Sequence, residues 1–231
     1  MRKIALITGS NQGIGYATAQ TLLENGVTVI LTSRDEEKGL ESLDKLKDLG
    51  EVHFCQLDIT DMETIKKAKK FVEDKFGKLD ILINNAAINY DTWHSVSDAN
   101  LDEIEQTLDA NLMGAWRVSQ TFLPLLKKAD IGNIVNVSSG GGSLASQTGG
   151  TPGYSISKLA LNALTMQLSN ELRKDKILVT SVCLGWVRTS MGGMAAPRSA
   201  KSASEGIVWL ALLEDMKYSG KFYRDKKEIN W

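Results

Sequence analysis

Short runs of apolar residues alternate with longer amphipathic stretches along the chain. Six runs are nearly continuous in Val, Ile and Leu, and they span residues 3–8, 27–32, 52–58, 79–84, 133–138 and 177–183. Such runs are typical of parallel strands that are covered on both faces. Between them, apolar residues recur at helical spacing. The pattern predicts a Rossmann-type doubly wound parallel sheet in three αβα layers.

Capping residues mark where several of the predicted helices begin and end. Gly26 closes ATAQTLLENG, where a C-terminal cap is expected. The next amphipathic helix has Thr60 or Asp61 as its N-cap and ends at Gly77. Asp35 precedes EEKG and is predicted to cap a helix of its own. The terminal segment SGKFYRDKKEINW predicts one edge strand and a tail.

Length and composition indicate one globular domain over residues 1–231. The chain is 42% hydrophobic and has no low-complexity linker or repeat, so it can bury a sizeable core. Its net charge of −1 disfavours nucleic acid and anionic membranes as partners. No apolar run reaches about 18 residues and the N-terminus does not resemble a signal peptide, which predicts a cytoplasmic protein.

The cysteines and histidines give no sign of a metal site. Cys55 and Cys183 lie in strand-like runs, where buried, reduced thiols are expected. His53 and His94 share no ligand-like spacing with them. The sequence therefore predicts no bound metal.

The turn after the first strand, TGSNQGIG (8–15), is suited to phosphate binding. Gly9 would allow a tight turn, and Gly13 and Gly15 would let the backbone approach a pyrophosphate at a helix N-terminus. The glycines could also serve only a tight strand–helix turn. Their place after the first strand of an alternating chain favours dinucleotide binding.

The end of the second strand bears on the choice of cofactor. NAD enzymes commonly place a carboxylate here for the ribose 2′-hydroxyl, whereas this chain has Thr32, Ser33 and Arg34. A guanidinium is suited to a 2′-phosphate. Asp35 could face the ribose, although a capping role fits its position better. We therefore favour NADP(H) over NAD(H).

Further motifs follow in order: LDI (57–59), NNAA (84–87), Asn111 in LDANLMG, NVSS (136–139), YSISK (154–158) and LGWVRTSMGG (184–193). Together with TGSNQGIG they cover nearly the whole chain, which resembles a compact, single-domain short-chain dehydrogenase/reductase. Within that family, TSRDEEKG and GKFYRD are most similar to carbonyl-reductase-like NADPH enzymes.

The resemblance implies two sets of site residues. The catalytic set is Asn111, Ser139, Tyr154 and Lys158. The cofactor set is Gly9, Ser10, Asn11, Gln12, Gly13, Ile14, Gly15, Ser33, Arg34, Asp58, Ile59, Asn85, Ala86, Tyr154, Lys158, Gly185, Val187 and Thr189. Strand alternation sends Ser138 and Ser139 to opposite sides, and the family uses the second serine of such a pair. Two departures, Ala87 for glycine and Leu184 for proline, affect geometry and remove no reacting group.

Tyr154 and Lys158 share a helix face, because they are four residues apart. A nearby ammonium is expected to lower the pKa of the phenol, so that Tyr154 can protonate the alkoxide formed from a carbonyl. Ser139 would stabilise the same oxygen, and Asn111 would hold a water that links Lys158 to solvent. The alternative is a helix start with ordinary solvated side chains.

Three segments are expected to rim the substrate pocket: 88–95, 140–153 and 185–200. Their aromatic residues and methionines suggest an apolar, small-molecule carbonyl or alcohol substrate, although each could instead be loop packing. The leading hypothesis is an NADP(H)-dependent oxidoreductase. The alternatives are a non-catalytic NADP(H)-binding redox sensor, which would not need the tyrosine, and a sugar-nucleotide epimerase, which usually has a longer C-terminal domain.

The helix predicted over 153–174 bears on assembly. Its stripe of Leu161, Leu164, Leu168 and Leu172 must be covered by the sheet or by a partner, and Ala160, Ala163, Thr165 and Met166 lie off that stripe. Some carbonyl reductases cover this helix with an insertion between serine and tyrosine, but here the two are only 15 residues apart. We expect a homotetramer, or failing that a homodimer.

Overall fold

A computed structural model describes residues 2–231 of the protein. Its strands are β1 (Ile4–Ile7), β2 (Thr28–Ser33), β3 (Val52–Gln56), β4 (Ile81–Asn84), β5 (Gly132–Ser138), β6 (Ile177–Cys183), β7 (Phe222–Arg224) and β8 (Lys227–Ile229). They form one sheet in the order β3-β2-β1-β4-β5-β6-β7-β8. All neighbouring strands are parallel except β7 and β8, which are antiparallel.

Seven α-helices connect or flank the strands. They are α1 (Gly13–Glu24), α2 (Glu36–Leu46), α3 (Met62–Phe76), α4 (Leu101–Leu108), α5 (Ala115–Leu126), α6 (Pro152–Leu172) and α7 (Ala200–Ala211). A π-helical segment, Asp109–Gly114, joins α4 to α5. Two single 3₁₀ turns, Gly140–Gly142 and Leu144–Ser146, lie between β5 and α6.

Two apolar cores lie on opposite faces of the sheet. In β1, Ile4 and Leu6 belong to the core shared with α3, α5 and α6, whereas Ala5 and Ile7 belong to the core shared with α1 and α7. This alternation follows from the two-residue period of a strand. The predicted three-layer, doubly wound fold is confirmed.

Several predicted caps are confirmed. Gly26 and Gly77 adopt the left-handed φ values of 76° and 72° after α1 and α3. Of the two candidates before α3, Asp61 caps the helix, because its carboxylate accepts a 2.8 Å bond from the Glu63 N–H. Asp35 caps α2 by accepting a bond from the Lys38 N–H at 3.1 Å.

The prediction of one edge strand and a tail is wrong for the C-terminus. Residues 222–229 form a hairpin in which β8 turns back on β7. The turn places Asp225 and Lys226 at φ 52° and 61°, a left-handed pair typical of two-residue hairpins. Glycine and asparagine usually signal such turns, and neither stands at these two positions, so the hairpin could not be recognised from its residue types.

The leucine stripe of α6 faces the sheet. Leu161, Leu164, Leu168 and Leu172 are all buried in the core of their own chain. Thr165 is buried as well, whereas Ala163 and Met166 are exposed. The sequence left open whether the sheet or a partner covers this stripe. In the structure the sheet covers it.

Neither a membrane span nor a metal cluster is present in the described part of the chain. Over residues 2–231, no helix combines the length and apolar character needed to cross a membrane. No group of three or more His, Cys, Asp or Glu side chains in that range could hold a metal ion.

Candidate active site

A cleft of about 440 Å³ opens at the carboxyl ends of β1, β2 and β4. Strand order reverses between β1 and β4, and ligands of open α/β sheets bind at such a switch point. Most residues of the predicted cofactor set line this cleft. They are Gly9, Asn11, Gln12, Gly13, Ile14, Ser33, Arg34, Asp58, Ile59, Asn85, Ala86, Tyr154, Lys158 and Thr189.

The turn between β1 and α1 is closely packed at Gly9 and Gly15, which leave little room for a side chain. Gly9 has φ +62°, and an added Cβ there would lie 3.1 Å from the Ala86 side chain. At Gly15, an added Cβ would lie 2.4 Å from the Gly9 carbonyl oxygen. The Asn85 amide donates to the Thr8 and Gly9 carbonyls at 2.9 and 3.0 Å. These contacts leave the N-terminus of α1 facing the cleft.

Four residues of the predicted cofactor set lie outside the cleft lining: Ser10, Gly15, Gly185 and Val187. Ser10 is fully buried, and its hydroxyl joins β1 to β2 by donating to Ile7 O and accepting from the Thr32 N–H. Gly15 gives α1 its close approach to the turn. Val187 is buried in the core. Ser10, Gly15 and Val187 therefore support the backbone of the site without lining the cleft.

The far end of the cleft carries two basic side chains. Arg34 lines it as predicted, and so does Lys38, which the sequence reasoning missed. Lys38 lies in the first turn of α2, which follows the N-cap Asp35, and a basic residue at the start of the helix that follows β2 could have identified it. Lys38 also pairs with Asp35 at 3.0 Å. Its backbone and side chain hold the pKa of the Asp35 carboxyl below its usual range.

The near end of the cleft contains Tyr154 and Lys158 on the first turns of α6. The Lys158 Nζ lies 5.6 Å from the centroid of the Tyr154 ring and donates a 2.8 Å bond to the Val137 carbonyl. Both side chains are buried. Burial lowers the pKa of Lys158 to about 8, because the ammonium loses its hydration.

The prediction that Lys158 lowers the pKa of Tyr154 is wrong, because burial among the surrounding side chains raises this pKa. Burial raises the pKa of Tyr154 to about 12, and Tyr90 and Cys183 also act to raise it, while a hydrogen bond with Ser139 lowers it. Desolvation of the phenolate is therefore the largest influence on this pKa, and the Lys158 ammonium points at the Val137 carbonyl.

The two serines point in opposite directions, as strand alternation predicted. Ser138 Oγ donates to the Lys158 carbonyl at 3.3 Å. Ser139 Oγ accepts the Gly141 N–H at 3.2 Å and bonds the Tyr154 phenol. The structure thus brings Ser139, Tyr154 and Lys158 together.

Asn111 lies in the π-helical segment and braces the strand end after β4. Its side-chain oxygen accepts the Ile88 N–H at 2.8 Å. Its amide donates to Ile88 O and to Ser157 Oγ, both at 3.1 Å. Both N–H donors of the side chain are therefore used within the protein, and the predicted water link to Lys158 stays a prediction.

The two departures from the family pattern have different surroundings. Ala87 lines the cleft beside Ala86. The Leu184 carbonyl accepts a 2.8 Å bond from Arg198, which also pairs with Asp225 in the β7–β8 turn. Arg198 therefore restrains the loop at which a proline is expected.

Several large apolar side chains are exposed on the loops that follow β4, β5 and β6, and one of them, Met191, lines the cleft. They come from the three segments that the sequence predicted as its rim, and they are Tyr90, Trp93, Leu144, Trp186, Met191 and Met194. Exposed apolar side chains that form one patch are typical of a binding surface.

Comparisons with known proteins agree with this geometry. Residues 3–199 match the sequence model of the family described as short chain dehydrogenase. Carbonyl reductase [NADPH] 1 of Sus scrofa is 32% identical over 276 aligned positions, which cover 99% of this chain and 94% of that protein. Salutaridine reductase of Papaver somniferum is also 32% identical, with 96% of this chain and 94% of that protein covered.

Solved structures give the same result. The NADPH-bound carbonyl reductase from chicken fatty liver superposes with a TM-score of 0.91 at 30% identity, with all of both chains covered. Carbonyl reductase Sniffer of D. melanogaster gives 0.88 at 29% identity, again over both whole chains. The fold, the motif order and these similarities show that the chain belongs to the short-chain dehydrogenase family.

Proposed function

We propose that this protein is an NADP(H)-dependent oxidoreductase that interconverts a small-molecule carbonyl compound and the corresponding alcohol. The observation that carries this proposal is the cleft itself. It has basic side chains, Arg34 and Lys38, at one end and Tyr154 and Lys158 at the other. The sequence similarity to NADPH-dependent carbonyl reductases supports it.

The residues present fit a dinucleotide. The N-terminus of α1 and the glycines at positions 9 and 13 can bind a pyrophosphate through backbone N–H groups. Arg34 and Lys38 would bind a 2′-phosphate. Asp35 caps α2 through the Lys38 N–H and pairs with the Lys38 ammonium, so it has a structural role that needs no ribose hydroxyl. This arrangement supports NADP(H) over NAD(H).

Tyr154 acts as the general acid in the reduction. NADPH, when bound, supplies the hydride for the carbonyl carbon. Tyr154 gives its phenolic proton to the oxygen that becomes the alcohol, and Ser139 donates a hydrogen bond to the same oxygen. Lys158 is buried behind the phenol and favours the phenolate that this transfer leaves. Asn111 keeps the backbone at Ile88 in place beside the reacting groups.

The rim favours apolar substrates. Trp186 and Met194 are 54% and 83% exposed, and they face no charged partner in the hydrogen bonds or ion pairs of residues 2–231. A ketone or aldehyde with a bulky apolar group would cover this surface and bring its carbonyl to Tyr154.

The test is consumption of NADPH, followed by its absorbance, against a panel of aldehydes, ketones and quinones, with NADH in parallel. We expect reduction of at least one apolar carbonyl compound, with NADPH preferred. Binding of NADPH without turnover on any panel member, and without alcohol oxidation by NADP⁺, would contradict the enzymatic proposal.

We also propose a homo-oligomer built on α5 and α6. The two helices border a surface cavity of about 320 Å³ that is lined by Trp116, Leu123 and Leu168 together with polar residues. Met113, Trp116 and Met166 stand exposed around it. Only two single turns separate Ser139 from α6, so no inserted helix covers this face. Family members of this compact type commonly pair these helices, and we favour a tetramer over a dimer.

Light scattering at micromolar protein tests this assembly. Trp116→Lys should shift the mass toward the monomer, because it places a charge in a buried apolar contact. Leu40→Lys, on a comparably exposed apolar residue of α2, is the matched control and should leave the mass unchanged. A monomeric wild type would contradict the proposal.

We also propose a cytoplasmic setting, which the two free thiols suit.

A further inference from the structure

The catalytic helix lacks a cap of its own. Thr151 stands at the N-cap position of α6 in a left-handed conformation, with φ 57° and ψ 56°, and its side chain caps no backbone N–H. The first helical bond runs from the Ser155 N–H to the Thr151 carbonyl at 2.8 Å. Pro152 has no N–H. Two donors therefore remain at the start of the helix, those of Gly153 and Tyr154.

Both donors are bonded by one carboxylate from a distant loop. Asp91 Oδ2 accepts the Gly153 N–H at 2.8 Å, and Asp91 Oδ1 accepts the Tyr154 N–H at 3.0 Å. Asp91 is only 3% exposed. A carboxylate is well suited to this helix end, because free N–H groups and the helix dipole both favour negative charge.

The surroundings leave little freedom for this contact. An added Cβ at Gly153 would lie 2.7 Å from Ile104 Cδ1 and 3.2 Å from Asp91 Oδ2. The residue before Asp91 also contacts the catalytic side chain, since the Tyr90 ring meets the Tyr154 ring edge-on at 5.1 Å. A β-bridge between Ser95 and Gly150 joins the same loop to the segment that precedes α6.

We propose that Asp91 is a positioning residue for Tyr154. It fixes the first turn of α6 and so the depth at which the phenol enters the cleft. It also joins the loop that carries Tyr90 and Trp93, at the mouth of the substrate pocket, to the backbone of the catalytic tyrosine. This inference rests on the proposed function, in which Tyr154 is the general acid.

The test compares Asp91→Asn and Asp91→Ala with Asp98→Asn. Asp98 is the matched control, because it accepts bonds from Ser95 in the same loop and none from α6 within residues 2–231. Asp91→Asn keeps the size of the side chain, but its amide has only one acceptor oxygen for the N–H groups of Gly153 and Tyr154. We expect kcat for carbonyl reduction to fall about tenfold or more in the Asp91 variants, with the KM for NADPH unchanged. Asp98→Asn should retain wild-type kcat.

Hydrogen exchange measured by mass spectrometry supplies an independent readout. Peptides that contain Gly153 and Tyr154 should exchange about tenfold faster in Asp91→Asn, because a hydrogen bond to a charged group is lost. Faster exchange with unchanged kcat would reduce Asp91 to an ordinary helix cap and overturn the proposal. Equal losses in kcat and NADPH affinity, or no change in either readout, would overturn it as well.

A failure of the proposed function would look different. If the wild type reduced no carbonyl, titration of the Tyr154 phenol would decide the role of Asp91. A shift of about half a pH unit or more in Asp91→Asn, absent in Asp98→Asn, would support positioning. An unchanged titration would refute it.

Discussion

The phosphate end of the cleft is a single turn, residues 8–15, between a strand and the helix that follows it. The opposite end, where the proposed catalytic residues lie, takes Ser139 from one segment, Tyr154 and Lys158 from a second, and the bracing residues Asn111 and Asp91 from two others. At the first end, local backbone rules determine the geometry. At the second end, contacts between distant segments determine the geometry, and burial shifts the pKa values of Tyr154 and Lys158.

The largest effect expected at the catalytic end is that of Tyr154→Phe. Turnover should fall about a hundredfold or more, the usual scale of general acid–base catalysis, because the phenol supplies the proton. NADPH affinity, measured by titration of protein fluorescence, should remain within about twofold. Tyr90→Phe is the control, since it keeps the ring that packs on Tyr154. A Tyr154→Phe variant that kept about a third of wild-type turnover would exclude Tyr154 as the acid.

Next in size is Arg34→Ala, at the far end of the same cleft. NADPH binding should weaken by about 1.5–3 kcal/mol, the scale for a charged hydrogen bond, while NADH binding changes little. Lys38→Ala should weaken NADPH binding less, because its ammonium is shared with Asp35. Calorimetric titrations with both cofactors measure this. Equal losses for NADPH and NADH would show that neither side chain contacts the 2′-phosphate.

Gly15→Ala tests the local geometry of the phosphate turn. The new Cβ would lie 2.4 Å from the Gly9 carbonyl oxygen, so we expect a loss of about 1–3 kcal/mol in the free energy of unfolding. Gly26→Ala is the control. Unlike Gly15, Gly26 has a positive φ, and no atom lies within 4 Å of its added Cβ, so backbone strain of about 1 kcal/mol is the whole cost. Urea denaturation compares the two.

The smallest effect concerns the phenol itself. The hydrogen bond from Ser139 lowers the pKa of Tyr154, whereas burial holds it at about 12. Ser139→Ala should therefore raise this pKa further, so that less phenolate forms at any given alkaline pH. The absorbance of phenolate in the purified protein, with that of Tyr154→Phe subtracted, follows the titration. A pKa lower than that of the wild type would show that the bond favours the neutral phenol.

The fold was predictable because each of the first six strands has a local signal in the sequence. Six apolar runs became β1 to β6 with small differences at their ends, and Gly26, Asp35 and Asp61 proved to be caps. The β7–β8 hairpin was missed because its turn uses Asp225 and Lys226 in a conformation that the sequence does not signal.

The residue types of the site were predictable from the sequence, whereas the burial and the pKa values of these residues were not. The motifs identified the residues of the cleft, but they could not separate Arg34, which lines it, from Ser10, which is buried behind it. They predicted the wrong sign for the Tyr154 pKa shift, since burial is not visible in a spacing of four residues. Asp91 was missed because 62 residues separate it from the nearer of its two partners.

Arg198 gives the C-terminal hairpin a role in the active-site loop that its position in the chain would not suggest. Its guanidinium bonds the Leu184 carbonyl and the Asp225 carboxylate, so the loop after β6 is fastened to the last turn of the protein. Positions 184, 198 and 225 are consequently coupled through one guanidinium. Loss of the Asp225 carboxylate would release the Arg198 guanidinium from the hairpin and so loosen its hold on the loop that borders the cleft.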